Sequence, residues 1–183
     1  MQTTKKRRIW WRVLVIILAV IIFAAACLAV AVAWVWTDEI YTIASFTKLR
    51  DRNDANEEGS IYSMDVHGGF YFDDFLAQGG ASSDSELIDF ITGKITRGLI
   101  DMNIKQTDIG CSAFIARAEN GDILFGRNYD FDKTNVALAF ADPGEGRYKS
   151  FSSVDLNYVG IDTDSDVGGL MDKITCLAAP YAP

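Results

Sequence analysis

The sequence is poor in the side chains that most often bind metals or assist nucleophiles. It has a single histidine, His67, and three cysteines, with no Cys-x-x-Cys pair. Protein zinc sites draw on several such ligands at short spacing, so we predict no metal site. His67 lies beside two glycines and is interpreted as a surface or capping side chain of a turn. Cys27 belongs to an apolar run, which leaves Cys111 and Cys176, too few for a disulfide framework.

Positive charge is scarce outside the first 36 residues. Those residues hold five of the seventeen basic side chains and no acidic one, so residues 37–183 carry twelve basic side chains against all 25 acidic ones. Nucleic-acid binding depends on Lys and Arg side chains that neutralise phosphates. The sequence therefore predicts no nucleic-acid partner, and it defines no oligomeric state.

The N-terminus contains one long apolar run. Residues 13–36 include no charged side chain, and at helical rise they measure about 36 Å, enough to cross a hydrocarbon core of about 30 Å. A basic tail, residues 1–12, precedes the run and acids follow it, so the positive-inside tendency places the N-terminus in the cytoplasm and residues 37–183 outside. Indole rings favour the membrane interface, and tryptophans flank the run: Trp10, Trp11, Trp34 and Trp36.

Two other readings of this run remain open. A cleavable signal peptide has a similar basic start, and Ala31-Val32-Ala33 resembles a cleavage site, but its apolar region is usually about 7–15 residues long. A lipoprotein signal ending at Cys27 is weaker, because the sequence stays apolar beyond that cysteine. We therefore predict a single-span anchor.

The next part of the chain is predicted to be a stalk, residues 37–59, and a propeptide-like segment, residues 60–110. In that segment Ser83 and Glu86 form a capping-box pattern, and apolar residues at helical spacing predict a helix over 84–100. Aromatic residues near its start are interpreted as core packing, with the wall of a substrate cleft as the alternative: Tyr62, Phe70, Tyr71, Phe72 and Phe75.

Further elements are predicted nearer the C-terminus. Apolar patterning indicates strands over 136–140 and 151–159 and a short helix over 170–179. Residues 162–166 resemble the opening of a calcium loop, but Val167 occupies the position that requires glycine. We interpret this segment as a solvated turn.

A predicted hairpin carries the chemical motif. Asn120-Gly121 lies between two apolar-rich runs, the strongest short signal for a hairpin turn. Such a hairpin brings Cys111, at the start of its first strand, close to Arg127 and Asp130. A lone cysteine is usually an inert packed residue, but a neighbouring cation lowers the pKa of a thiol and makes it nucleophilic. No histidine follows Cys111 to serve as its base, whereas a free α-amine, with a pKa of about 7.7–8.0, serves when the nucleophile is the first residue of a chain.

The stretch from Gly110-Cys111-Ser112-x-Phe114 through Phe125-Gly126-Arg127-Asn128-Tyr129-Asp130 resembles the processed N-terminus of choloylglycine hydrolases. That family includes conjugated bile-acid hydrolases and penicillin V acylases and is related to acid ceramidase-like amidases. All are N-terminal-nucleophile hydrolases of linear amide C–N bonds. The offsets of 16 residues from Cys111 to Arg127 and of 19 to Asp130 match the family's nucleophile, arginine and aspartate.

The resemblance implies a role for each residue. Cys111 is the nucleophile and its α-amine the base after cleavage of the Gly110–Cys111 bond, while Arg127 steadies the thiolate and Asp130 hydrogen-bonds the amine. It also implies an α+β fold, a four-layer αββα sandwich whose N-terminal part is residues 111–183, a small-molecule amide substrate and no cofactor. Family members continue well beyond this region, so the chain is expected to be a fragment. The alternative is a non-catalytic, membrane-tethered binding or scaffold domain, or an inactive truncated member.

Overall fold

The structure is a computed structural model with an α+β fold. It divides into two compact units, Met1–Ile40 and Tyr41–Pro183. The described residues are 2–56, 58–69, 71–99, 102, 104, 111–129, 134–144, 146–162 and 164–181.

The described residues form five α-helices and six strands, and all six strands lie in the second unit. The helices are α1 (Gln2–Val35), α2 (Thr37–Ser45), α3 (Phe72–Ala77), α4 (Asp84–Thr96) and α5 (Leu170–Cys176). The strands are β1 (Thr47–Arg50), β2 (Ile61–Val66), β3 (Cys111–Arg117), β4 (Ile123–Tyr129), β5 (Val136–Ala141) and β6 (Ser150–Asp155). Short 3₁₀ turns lie at Asp54–Asn56, Leu156–Val159 and Ala179–Tyr181.

α1 is one uninterrupted helix of 34 residues. Its sequence contains neither glycine nor proline, the two residues that most weaken a helix interior. Within it Trp10–Val35 spans 26 residues and contains an 18-residue window with a mean hydropathy of 3.4, none of which is buried. That stretch measures about 39 Å at helical rise. The prediction of one N-terminal helix long and apolar enough to span a membrane is confirmed.

Four strands form a mixed sheet in the order β1-β2-β5-β6. β2 and β5 are parallel, whereas β1 and β6 run antiparallel to their neighbours. A parallel pair requires a long crossover, and here the crossover contains α3, α4 and the separate β3–β4 hairpin. The sheet therefore joins segments on both sides of the motif.

One face of this sheet carries the core. Successive strand residues point to opposite faces, and the buried apolar strand positions, which share one face, are Tyr62, Met64, Ala137, Ala139 and Val154. Helix α4 packs Ile91 and Ile95 into the same cluster. Phe46, at the end of α2, stacks on Tyr62 with 5.3 Å between the ring centroids. Burial of these apolar side chains is the main stabilising contribution to the unit.

The segment predicted as a stalk has regular structure. It contains α2 and β1, and β1 pairs with β2 through Thr47↔Ser63 and Lys48↔Tyr62. All four residues of β1 are exposed, as suits an edge strand with charged side chains. The second compact unit thus begins at Tyr41, well before the predicted start of the propeptide-like segment.

Helix α4 begins where the sequence predicts and ends earlier. The Ser83 hydroxyl accepts a hydrogen bond from the Glu86 N–H at 3.2 Å, which caps the first turn. The helix was expected to extend over 84–100, but it stops at Thr96 because Arg97 has a left-handed backbone with φ of 53°. Gly98 continues with φ of 73°, so the chain leaves the helix direction there.

The predicted strand over 151–159 is too long. β6 covers Ser150–Asp155, and the Asp155 carboxylate then accepts a hydrogen bond from the Asn157 N–H at 2.8 Å. That contact caps the 3₁₀ turn Leu156–Val159, whose apolar residues are buried by the turn rather than by a strand.

The C-terminal helix is also shorter than the predicted 170–179. α5 begins where the Asp172 carboxylate accepts hydrogen bonds from the N–H groups of Gly168 and Gly169, at 3.1 and 2.9 Å. It ends at Cys176, and a 3₁₀ turn follows at Ala179–Tyr181.

Candidate functional site

The hairpin predicted from Asn120-Gly121 is confirmed. The turn is closed by hydrogen bonds from the Gly121 N–H to the Ala118 carbonyl at 2.9 Å and from the Ala118 N–H to the Asp122 carbonyl at 2.8 Å. Gly121 has a φ of 93°, a conformation that glycine adopts without strain. The Asn120 side chain bonds Asp122 on both its N–H and its carboxylate, so both residues of the Asn-Gly pair contribute to the turn.

The register of the hairpin decides which motif positions share a face. Cys111 is opposite Tyr129 and Ala113 is opposite Arg127. Side chains two residues apart in a strand share a face, and diagonal neighbours of an antiparallel pair lie about 7–8 Å apart. The positions of Cys111 and Arg127 are such diagonal neighbours, on the same face and at the end of the ribbon away from the turn.

The four predicted site residues are described to different extents. Cys111 is the first residue of β3, and Arg127 is an exposed residue of β4. Gly110 and Asp130 lie outside the described residues. In the sequence, Gly110 directly precedes β3 and Asp130 directly follows β4.

One motif residue has a packing role that the sequence analysis did not recognise. Phe114 is opposite Gly126 in the register, and its ring lies across the glycine. A Cβ at position 126 would come within 2.3 Å of the Phe114 ring, so only glycine fits beneath it without a shift. A glycine opposite an aromatic residue is a readable signal once the register is known, because the ring covers backbone that no side chain protects.

The hairpin exposes apolar side chains on both of its faces. Phe125 is 69% exposed and Ile115 is 76% exposed on the face that also contains the positions of Cys111 and Arg127. On the opposite face Phe114 is 64% exposed and Leu124 is 52% exposed. A two-stranded ribbon is marginal on its own, so its burial must come from further contacts.

A second polar cluster lies in the mixed sheet. One carboxylate oxygen of Asp166 accepts hydrogen bonds from the Ser60 hydroxyl at 2.9 Å and from the Tyr62 hydroxyl at 3.0 Å. Its other oxygen pairs with the Lys48 ammonium at 3.0 Å, and the Tyr62 oxygen accepts from the Val167 N–H. The bond to Lys48, followed by those to Ser60 and Tyr62, lowers the pKa of Asp166 to about 2. We call these residues the Asp166 network.

In the segment that resembles a calcium loop, residues 162–166, the side chains of Asp164 and Asp166 are paired with basic residues of the protein. Asp166 is engaged by Lys48, and Asp164 pairs with Arg52 at 3.6 Å. The Asn135 side chain donates a hydrogen bond to the backbone carbonyl of Asp162 at 3.1 Å, so that oxygen already has a partner within the protein. Within the described part of the chain, no group of three or more His, Cys, Asp or Glu residues is placed to hold a metal ion.

Cys176 contrasts with Cys111. It is fully buried in the core, and burial raises its pKa to about 12, with a further contribution from the nearby Asp172 carboxylate. A thiol in that state is a packing group and a poor nucleophile.

Comparisons with protein-family models, with curated proteins and with solved structures found no match to this chain.

Proposed function

We propose that the protein is a membrane-anchored hydrolase of linear amide C–N bonds, of the choloylglycine hydrolase type. Its nucleophile is Cys111, exposed as a chain N-terminus by cleavage of the Gly110–Cys111 bond. The observation that supports this most is the hairpin register, which puts the positions of Cys111 and Arg127 on one face at one end of the ribbon. The 16-residue offset between them is the one the sequence resemblance requires.

The proposal assigns self-processing to the same thiol. The Cys111 sulfur attacks the Gly110 carbonyl carbon, the C–N bond between the two residues breaks, and a thioester forms as the α-amine is released. Water then hydrolyses the thioester, which leaves the Gly110 carboxylate and a free thiol. Glycine before the bond leaves its carbonyl uncrowded and tolerates unusual backbone angles.

In turnover the freed α-amine acts as the general base. It takes the thiol proton as sulfur attacks the substrate carbonyl, and it then gives that proton to the departing amine. Water hydrolyses the resulting thioester, releasing the carboxylic acid and restoring the thiol. Arg127 favours the thiolate, because a nearby cation lowers the pKa of a thiol. Asp130 is assigned to hold the α-amine by a hydrogen bond.

The proposal also includes the finer fold. The mixed sheet and the β3–β4 hairpin are assigned to the two sheets of a four-layer αββα sandwich. In such a sandwich a strand is covered on both faces, and the apolar side chains on both faces of the hairpin support this assignment.

Helix α1 is proposed as the anchor, with the N-terminus in the cytoplasm. The support is the cluster of basic residues before the span and the absence of acids there. Trypsin added to intact cells should digest residues 41–183 while the tail containing Lys5 and Arg8 stays protected. Digestion of that tail in intact cells would refute the orientation.

N-terminal sequencing tests the processing step directly. The full chain, carrying a C-terminal tag, is expressed in membranes, and the first residue of the tagged product is determined. We expect Cys111 for the wild type and a single uncut chain for Cys111→Ala. Cys27→Ala, which removes a thiol from α1, is the matched control and should be cleaved like the wild type. An uncut wild type, or a first residue other than Cys111, would refute the processing.

A second candidate is a non-catalytic, membrane-tethered binding domain. The observation that favours it is the large exposed apolar surface of the hairpin, since such surfaces commonly mark interaction sites. In this case Cys111 is an unreactive strand residue and the chain stays uncut in membranes. The sequencing experiment therefore separates the two candidates.

A further inference from the structure

A cavity of about 650 Å³ opens between the mixed sheet and helices α3 and α4. Its floor is the end of the core face where β5 and β6 pair through Ala139↔Ser152 and Ala141↔Ser150. Among the described residues that line it, none belongs to the β3–β4 hairpin. The cavity is thus separate from the residues of the proposed amidase site.

Small side chains create this space. Along the core face, the row Tyr62–Ala137–Val154 is filled by the bulk of Tyr62 and Val154, whereas the next rows end in the alanine–serine pairs of the floor. Protein interiors are normally packed to the density of organic crystals. A space of this size lies within the range of about 300–1,000 Å³ found for small-molecule sites, far above that needed for a single water.

The walls of the cavity are largely apolar. Phe72 and Phe75 of α3 and Leu87 of α4 form one side, and Pro180 and Tyr181 form another. The residues that line it also include three with a hydroxyl group, the two floor serines and Tyr181. Burial raises the pKa of Tyr181, so that hydroxyl stays protonated at any physiological pH.

Charge at the cavity is already balanced. Arg147 lines it, and its guanidinium pairs with the Asp73 carboxylate of α3. Gly69 also lies against this guanidinium, since a Cβ there would be 3.8 Å from the Arg147 nitrogen. An anionic ligand would have to compete with Asp73 for Arg147, whereas a neutral ligand leaves the pair intact.

We propose that this cavity, which is open to solvent on one side, binds an uncharged, largely apolar small molecule that packs against the aromatic walls and lies over the serine floor. The site goes beyond the proposed amidase chemistry and does not depend on it. Its ligand class is set by the apolar walls, the serine floor and the neutral Arg147–Asp73 pair.

Photolabelling of the full chain in lipid nanodiscs tests the proposal. The probe is 3-phenyl-3-(trifluoromethyl)diazirine, a neutral aromatic carbene precursor, and labelled peptides are located by mass spectrometry. We expect labelling of the peptides that contain Phe72, Phe75 and Ser152 to saturate with probe concentration. N-phenyl-1-naphthylamine should compete with the probe at a concentration at least fivefold lower than 8-anilino-1-naphthalenesulfonate, which has the same rings and a negative charge. Labelling of Trp10–Val35 by lipid-dissolved probe should rise without saturation and serves as the internal reference.

A matched pair of substitutions locates the site. Ser152→Trp fills the floor and should lower the cavity labelling at least tenfold relative to the reference. Ser153→Trp places the same ring on the other face of β6 and should leave it within twofold. Ala141→Phe is the second filling variant if Ser152→Trp disturbs folding. Labelling that never saturates in the wild type, that both naphthalene compounds displace equally, or that survives the filling variants would overturn the proposal.

Discussion

The mixed sheet buries one apolar face, whereas the β3–β4 hairpin exposes apolar side chains on both faces. Other segments of the same chain stabilise the sheet. Helices pack on its core face, and the Asp166 network connects β1 and β2 to the segment before α5. The hairpin has a well-formed turn and a continuous ladder, but Phe125 and Ile115 remain mostly exposed. The buried core of the unit therefore lies on the mixed sheet, whereas the motif residues Cys111 and Arg127 lie in the exposed hairpin.

The largest expected difference between the hairpin and the core is in the reactivity of their cysteines, Cys111 and Cys176. In a Cys27→Ala background near neutral pH, iodoacetamide should modify Cys111 at least about a thousandfold faster than Cys176. The thiolate is the reactive form, and burial raises the pKa of Cys176 to about 12, whereas the proposed function requires a reactive thiolate at Cys111. The rates are measured by peptide mass spectrometry of the folded chain.

The same experiment separates the amidase from the binding domain. If Cys111 reacts only after denaturation, as Cys176 should, the nucleophile assignment fails and the binding domain is favoured. Denatured protein, in which both thiols react at similar rates, is the control.

Two glycines next test the rigidity of each region. Gly59→Ala places a Cβ 1.9 Å from the Thr134 carbonyl oxygen, against backbone that supports the sheet. Gly126→Ala places one 2.3 Å from the Phe114 ring, a 64% exposed side chain that can turn away. We expect Gly59→Ala to lower the free energy of unfolding by about 3 kcal/mol and Gly126→Ala to lower it by at most about 1 kcal/mol. Overpacking costs least where the neighbouring side chain can move.

Hydrogen exchange of the β2 and β5 amides is the suitable measurement. All four tryptophans belong to the first 36 residues, so their fluorescence does not report on the sheet. Equal protection losses for the two variants would show that the hairpin is as rigidly packed as the sheet.

Local signals predicted the elements whose ends are defined by neighbouring residues. Asn120-Gly121 predicted the hairpin, and Ser83 with Glu86 predicted the start of α4. The end of α4 was missed because Arg97, a good helix former, adopts a left-handed conformation there. β1 was missed because Lys48 and its neighbours lack the alternating pattern of a buried strand.

The Asp166 network could not be predicted from sequence patterns. Its members Ser60 and Tyr62 lie 106 and 104 residues from Asp166 along the chain. The segment before Asp166 is held in place by the Asn135 side chain, which donates to the carbonyls of Asp162 and Ser165. The candidate site was easier to predict from sequence, because a single hairpin turn brings Cys111 and Arg127 to the same end of the β3–β4 ribbon. Its packing pair, Phe114 with Gly126, required the register.

Two arginines on the same face of the ribbon provide a smaller, sharper test. Arg127 is at the Cys111 end, whereas Arg117 is at the turn end, where it donates to the Gly121 carbonyl at 3.1 Å. If Arg127 favours the thiolate as proposed, Arg127→Gln should slow alkylation of Cys111 about tenfold near neutral pH. Arg117→Gln should change the rate less than twofold. Equal effects of the two substitutions would mean that Arg127 has no special influence on the thiol.

The smallest expected effect is the acid sensitivity of the Asp166 network. Asp166 has a lowered pKa, so its contribution to stability is present above its ordinary value of 3.8 and is lost as the pH falls towards about 2. Its side chain is 49% exposed, and solvent screening limits the change to at most about 1 kcal/mol. Hydrogen exchange of β2, corrected for the intrinsic rate at each pH, should show this loss in the wild type and not in Asp166→Asn. Tyr62→Phe retains the bond to Lys48, the largest cause of the lowered pKa, and should keep most of the pH dependence. If Asp166→Asn keeps the wild-type pH profile, the network does not couple protonation to the stability of the sheet.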